Sequence, residues 1–182
     1  DRQSFGVENG VASKSVVFSQ WTAFLDLLEV ALERSGIPFS RLDGSLPMQQ
    51  RTTVLSEFES SRTCGVLLMS IKAGGQGLNL CFCQNVFLMD PWWNPHLEEQ
   101  AIARVHRIGQ TRPVNVRRLI VRDTVEESIL EMHERKRGLA EDALGIADVV
   151  GASPQERTAE RLRDLQRLFR AENRGSATGE AN

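Results

Sequence analysis

Only three cysteines occur in 182 residues, and they do not group: Cys64 stands alone, and Cys81 and Cys83 are one residue apart. An odd count without a repeated C-x-x-C speaks against a disulfide framework and suits a reducing compartment. Cys81-x-Cys83 as half of a zinc site would need a second ligand pair, and none is spaced to complete it. Both are read as small buried side chains. No apolar run approaches the roughly 18 residues that span a bilayer. The opening DRQSFGVENG lacks the basic-then-apolar pattern of a secretory leader. A soluble, intracellular chain without membrane contact is expected. Also missing is any G-x-x-x-x-G-K-[ST], so there is no complete P-loop. The net charge of −2 rules out affinity for nucleic acid through bulk charge alone.

What is present has a rhythm. At 41% hydrophobic and 25% charged residues, the composition is that of a globular domain of about 150 residues with a tail. Residues 1–13 are polar, without periodicity, and read as an incoming linker. SVVFS (15–19), PFSRL (38–42), GVLLMS (65–70), NVFLMD (85–90) and VNVRRLIV (114–121) read as strands, the last three as apolar runs covered on both faces. Between the first two lies QWTAFLDLLEVALER, with Trp21, Phe24, Leu25, Leu28, Ala31 and Leu32 on one helical stripe. PMQQRTTVLSEFES follows the turn Asp43-Gly44 and starts with a proline suited to a first helical turn. Strands alternating with helices predict β-α-β units, a mainly parallel sheet in a three-layer α/β domain over 14–145, and ligands at the carboxyl edge. Thr124-x-x-Glu127 is a capping box for a helix striped by Val125, Ile129 and Met132. Ser153-Pro154-x-Glu156 opens another, with Leu162, Leu165, Leu168 and Phe169 as its narrow apolar face. Residues 173–182 have the composition of a disordered tail.

Three segments carry chemistry. In EEQAIARVHRIGQ (98–110), Asn94-Pro95 caps a helix whose buried stripe is Ala101, Val105 and Ile108, and Gly109 suits a left-handed terminus. Gln100, Arg104 and Arg107 fall together on another side, and no carboxylate stands three or four residues from either arginine. Two guanidiniums about one turn apart suit a polyphosphate, because arginine donates in a fixed fork and keeps its charge. The window 100–122 holds six arginines and no acid. In SIKAGGQGLNL (70–80), glycines directly after a strand let backbone approach a ligand closely. In DPWWNP (90–95), two adjacent tryptophans on a stiff loop cannot both face the core; one aromatic could stack against nucleic acid. Side chains alternate on an extended loop, so Trp92 is expected inside and Trp93 outside.

SVVFSQW, RLDGS, SIKAGGQGLNL, DPWWNP and EEQAIARVHRIGQTRPV, in this order, resemble the second RecA-like lobe of SWI/SNF-type, superfamily-two helicase-like ATPases. The likeness is strongest to the DNA-repair branch that includes helicase-like transcription factor. DEAD-box helicases lack the WNP signature and usually carry arginine where Gln110 stands. The resemblance implies half of an ATP-driven, double-stranded-DNA translocase working in the nucleus on DNA or chromatin. ATP with Mg²⁺ would lie between two lobes, the metal held by the first lobe of the same protein. Arg104 and Arg107 would be arginine fingers, Gln100 would support them, and Gly75 and Gly77 would line the same cleft. Asp43, Gly44, Ser45 and Lys72 would touch the DNA backbone, and Trp93 would face the DNA. Residues 124–143 resemble a brace helix returning to the first lobe. The other reading is a non-catalytic lobe kept for DNA or protein binding, and an upstream P-loop with D-E-x-H would decide against it.

Overall fold

The computed structural model describes residues 7–8, 11–73 and 77–145. Gly75 and the segment 146–182, with its second capping box and tail, lie outside the described residues. Within the stretch read as a linker, β1 (Val7–Glu8) pairs antiparallel with β2 (Val11–Ala12). The main sheet has five strands: β3 (Ser15–Ser19), β4 (Phe39–Leu42), β5 (Val66–Ser70), β6 (Asn85–Leu88) and β7 (Asn115–Arg118). All neighbours are parallel, in the order β4-β5-β3-β6-β7. Every residue of β5 is buried, as its unbroken apolar run requires of a strand covered on both faces.

β7 departs from that reading. All four of its residues are exposed, and Leu119 and Val121 follow the strand instead of belonging to it. As the last strand it has one neighbour, and Arg117 and Arg118 blunt its open edge.

The crossovers distribute the helices. α1 (Thr22–Arg34) follows β3 and leads leftward in the sheet order to β4. α2 (Met48–Ser60) and α3 (Pro95–Val105) belong to rightward crossovers. With right-handed connections, opposite directions mean opposite faces. The cores agree: Phe58, Ala101 and Val105 pack with Val16, Phe18, Val86 and Leu88 on one face. Leu25 packs with Val66 and Leu68 on the other. No helix fills the connection from β5 to β6 among the described residues, contrary to a strict strand–helix alternation; the glycine-bearing loop makes that passage. The stripe of α1 is narrower than its spacing suggested. Leu25 is buried, whereas Trp21 at the N-cap is 62% exposed.

One buried charge fastens the larger core. Lys14, at the entry to β3, donates from Nζ to the carbonyls of Phe58, Ser61 (2.9 Å) and Cys64 (3.4 Å) and lies 4.4 Å from the centroid of the Phe58 ring. It meets the carboxyl end of α2, where a cation complements the helix dipole and exposed carbonyls. Burial lowers its pKa from the ordinary 10.5 despite the neighbouring thiols and Glu59. Cys83 is wholly buried in this core, and burial pushes its thiol up to about 12. A neutral thiol in apolar surroundings is packing.

The chain divides into two units, Asp1–Leu119 and Ile120–Asn182. In the second, α4 (Val125–Gly145) begins with a cap that differs from the expected box. Thr124 Oγ1 accepts from the Glu126 amide (3.3 Å), and the acid reaching back is Glu126, which accepts from the Val121 amide (2.8 Å). Asp123 stands in the left-handed region (φ 58°), and the turn it makes leaves Val121 as the amide served.

Candidate functional site

The loops after β3, β4, β5 and β6 all emerge at one edge, because the four strands are parallel and in register. That carboxyl edge carries the Asp43-Gly44-Ser45 turn, Lys72 and the DPWWNP loop. At its centre, Asp90 accepts from Ser19 Oγ and from the Gln20 amide (2.9 Å), tying the ends of β3 and β6 together.

Asp43 is buried and turned inward. Its carboxylate accepts from the Ser45 amide (2.9 Å), from Ser45 Oγ (2.5 Å) and from Arg41 Nε (2.7 Å). Arg41 also pairs with Asp26 (2.5 Å) and Glu29 (3.1 Å) on α1. Burial alone would raise the Asp43 pKa, but the Ser45 and Arg41 hydrogen bonds outweigh it and hold the carboxyl below its ordinary 3.8. The Arg41 pKa moves the other way: burial opposes its charge, and the three carboxylates more than restore it, holding it above its ordinary value. Asp43 thus shapes the turn by holding both Ser45 donors, and the exposed surface of the turn is that of Gly44 and Ser45. Beneath the turn, Arg51 donates to the carbonyls of Leu46 (2.8 Å) and Gly44 (3.2 Å), a clamp that its place in an unremarkable helix did not advertise.

This carboxyl has a testable signature. A group whose folded pKa lies below its unfolded value of 3.8 stabilises the fold fully above that pH. The contribution is lost as pH falls through the depressed folded value. Asp43→Asn is therefore expected to lower the melting temperature at neutral pH, and the difference should shrink as pH drops below 3.8. A difference constant through the acid range would remove Asp43 from the ionic network.

Lys72 is exposed, with its ammonium 5.4 Å from the centroid of the Trp92 ring. Trp92 is half-buried and Trp93 is 38% exposed, so the alternation along the loop runs in the expected sense. The loop ends at α3, where Asn94 Oδ1 accepts from the His96 amide (3.2 Å) and Pro95 takes the first helical position.

The arginines lie elsewhere. α3 follows β6 and precedes the parallel β7, so it runs back towards the amino edge. Its eleven residues cover about 16 Å. It stops at Val105, so Gln100 and Arg104 are helical and Arg107 lies in the turn beyond. Ile108, expected in the buried stripe, is fully exposed at the tip of that turn.

Distant partners end the helix. The Leu80 amide donates to the Arg104 carbonyl (3.0 Å), and Gln110 Nε2 donates to the carbonyls of Cys83 (2.8 Å) and Val105 (3.4 Å). Gln110 Oε1 accepts from the Arg112 amide (3.0 Å), and Gly109 is left-handed (φ 105°). Gln110 is thus the staple of the turn that presents Arg107, which is exposed; Arg104 is half-buried.

The resulting site has two ends. Gly44, Ser45, Lys72 and Trp93 stand at the carboxyl edge, and Arg104 and Arg107 at the amino edge. The first set thus stands at the carboxyl edge expected for ligands, whereas the arginines do not. The 71–80 loop touches both ends, with Lys72 against Trp92 and Leu80 against Arg104. Gly77, left-handed (φ 73°) and exposed, lies along it. The arginine-rich window is also less uniform than its composition implies. Arg118 pairs with the buried Glu98 (2.6 Å), and Arg117 lies 5.8 Å from the centroid of the Phe87 ring. Glu98 stands just outside the acid-free window, which is why spacing along the helix did not reveal it.

A parallel sheet with this strand order, a glycine-bearing loop after β5, a WNP loop after β6 and an arginine-bearing turn after α3 is the arrangement expected of the helicase C-terminal lobe that the sequence resembles. The chain belongs to the family of the helicase conserved C-terminal domain, whose model matches residues 4–109. It is 52% identical to DNA repair protein RAD5B of Arabidopsis thaliana over 90% of this chain and 12% of that protein. It is 46% identical to helicase-like transcription factor CHR27 of the same plant, over 87% of this chain and 15% of that protein. Among solved structures, the C-terminal part of the Fun30 ATPase domain superposes with a TM-score of 0.65 at 39% identity, covering 66% of this chain and 38% of that one. The chain thus spans 12% and 15% of the length of these two relatives. No helix among the described residues is long and apolar enough to cross a membrane.

Proposed function

We infer that this chain is the second lobe of an ATP-dependent double-stranded-DNA translocase of nuclear DNA repair or chromatin remodelling, working with a first lobe of the same protein. The observation that carries this is the division of one lobe into an arginine-bearing end and a lysine–tryptophan end, joined by α3 and the 71–80 loop. Arg104 and Arg107 suit the terminal phosphate of a nucleotide held by the partner lobe, because two forked cations can neutralise charge spread over phosphoryl oxygens. Gln100, one turn before Arg104 and exposed, supports that end, and the family resemblance adds Gly75 and Gly77 to the same cleft. The family resemblance assigns Mg²⁺ to the first lobe. Bound ATP supplies the phosphoanhydride whose hydrolysis drives movement. This chain's part is to neutralise charge at one end and hold the DNA backbone at the other, through Lys72, the Gly44-Ser45 turn and Trp93.

The DNA half of the reading is tested through salt. Lys72→Ala is expected to weaken binding to all duplex sequences alike and to lower the slope of log K against log salt by about 0.9. An unchanged slope would make Lys72 a solvated surface residue.

A further inference from the structure

Glu98 is a carboxylate only 1% exposed, and neither the arginine turn nor the DNA-facing set uses it. It lies in the first turn of α3, where the helix dipole favours an anion. Its Oε1 accepts from the Trp92 amide (2.9 Å). Its Oε2 accepts from Arg118 Nη2 (2.6 Å) and Nε (2.9 Å), a two-pronged pair to the last residue of β7. The alternation of β7 explains the partner: Arg118 pairs in register with Leu88, whose side chain lies in the α3-side core, while Arg117 pairs with Phe87. One buried side chain therefore joins the DPWWNP loop, the amino end of α3 and the edge strand. The Trp92 ring lies beside the Lys72 ammonium, and the far end of α3 is fixed by Leu80 and Gln110.

We propose that Glu98 is the positioning residue that couples the two ends of this lobe: it fastens the Lys72–Trp92 pair to α3, so that displacement of the DNA-facing loop moves the helix carrying Arg104. The inference rests on the translocase reading above. A helix is a stiff strut, and a strut transmits displacement only where both ends are attached. The carboxyl end is attached through Arg104, Val105 and Cys83 carbonyls, and the amino end through Glu98. A buried carboxylate needs partners to offset its desolvation, and both of its oxygens have them. A helix needing only a cap already has one in Asn94, so Glu98 adds a connection that helix formation does not require.

The test uses the full two-lobed protein at a temperature well below the melting point of each variant, reading ATP turnover and triplex displaced per ATP. Glu98→Ala is expected to reduce displacement per ATP by about 10-fold or more, since a misplacement near 1 Å at a distant contact can cost about 10². Glu98→Gln keeps an oxygen for the Trp92 amide and should recover most of the loss. In a cycle with Lys72→Ala, the double variant should be little worse than the poorer single one, because both act through Trp92, one on its amide and the other on its ring.

Wild-type displacement per ATP in Glu98→Ala, no recovery in Glu98→Gln, or additive losses in the cycle would each overturn the proposal. If the alanine variant does not fold, Glu98→Asp carries the test. It keeps the charge but cannot reach Trp92 and Arg118 together, so wild-type coupling there would also overturn it. A wild-type protein without DNA-stimulated hydrolysis would instead remove the translocase reading, and that control is measured first.

Discussion

Replacing Arg107 by alanine, in a protein carrying both lobes, is expected to cut DNA-stimulated ATP hydrolysis by at least about 10² while DNA affinity changes by no more than a few-fold. The geometry makes the two effects separable. Arg107 is exposed in the turn beyond Val105, at the amino edge of the sheet. Lys72 and Trp93 stand at the other edge, with the length of α3 between. The turn itself does not depend on the Arg107 side chain. Its backbone is held by the Gln110 amide on the Arg107 carbonyl (3.0 Å), by the Gln110 side chain and by left-handed Gly109. Truncation should therefore leave the melting temperature nearly unchanged, as for most exposed positions away from caps and cores. Arg107→Lys should recover little, because an ammonium cannot reproduce the planar fork. Near-wild-type turnover in the alanine variant would sink the finger assignment. A large fall in melting temperature would show that the guanidinium holds the turn together.

Trp92 and Trp93 should separate stability from coupling. Truncating a fully buried tryptophan costs about 3–5 kcal/mol. Trp92 is half-buried beneath Lys72, so Trp92→Ala should fall towards the lower part of that range. Trp93 is 38% exposed, and Trp93→Ala should change the melting temperature little. If Trp93 faces DNA, its removal should leave hydrolysis running while triplex displacement per ATP drops, because an aromatic face that grips the substrate has been lost. Melting curves and displacement assays on both variants decide the matter. A large stability loss at Trp93 with none at Trp92 would reverse their roles, and equal losses at both would make the pair structural.

Much of this molecule follows from signals that act within a turn or two of the chain. Apolar runs and their spacing located the strands of the main sheet, although β7 proved exposed and shorter than its run, and determined their parallel pairing through crossovers and Asn94-Pro95 as the start of α3. Such signals work because backbone propensity, side-chain period and capping involve residues at most four apart. The alternation that put Trp92 inward and Trp93 outward is of the same kind.

Tertiary structure decided what depends on partners far along the chain. Helical spacing carried α3 on to Ile108, but its end at Val105 is set by the Leu80 amide and by Gln110, whose other anchor is the Cys83 carbonyl, 27 residues away in sequence. Spacing showed no acid near the arginines, yet strand order brought Arg118 across 20 residues to Glu98. Lys14 reached the end of α2 across 44 residues, which no local pattern could announce. The same logic separated the arginines from the lysine–tryptophan pair. A crossover helix between parallel strands must run back towards their amino ends, so residues ten apart on α3 belong to opposite edges. Sequence determined which side chains this lobe carries, whereas the direction of one helix decided which of them could act together.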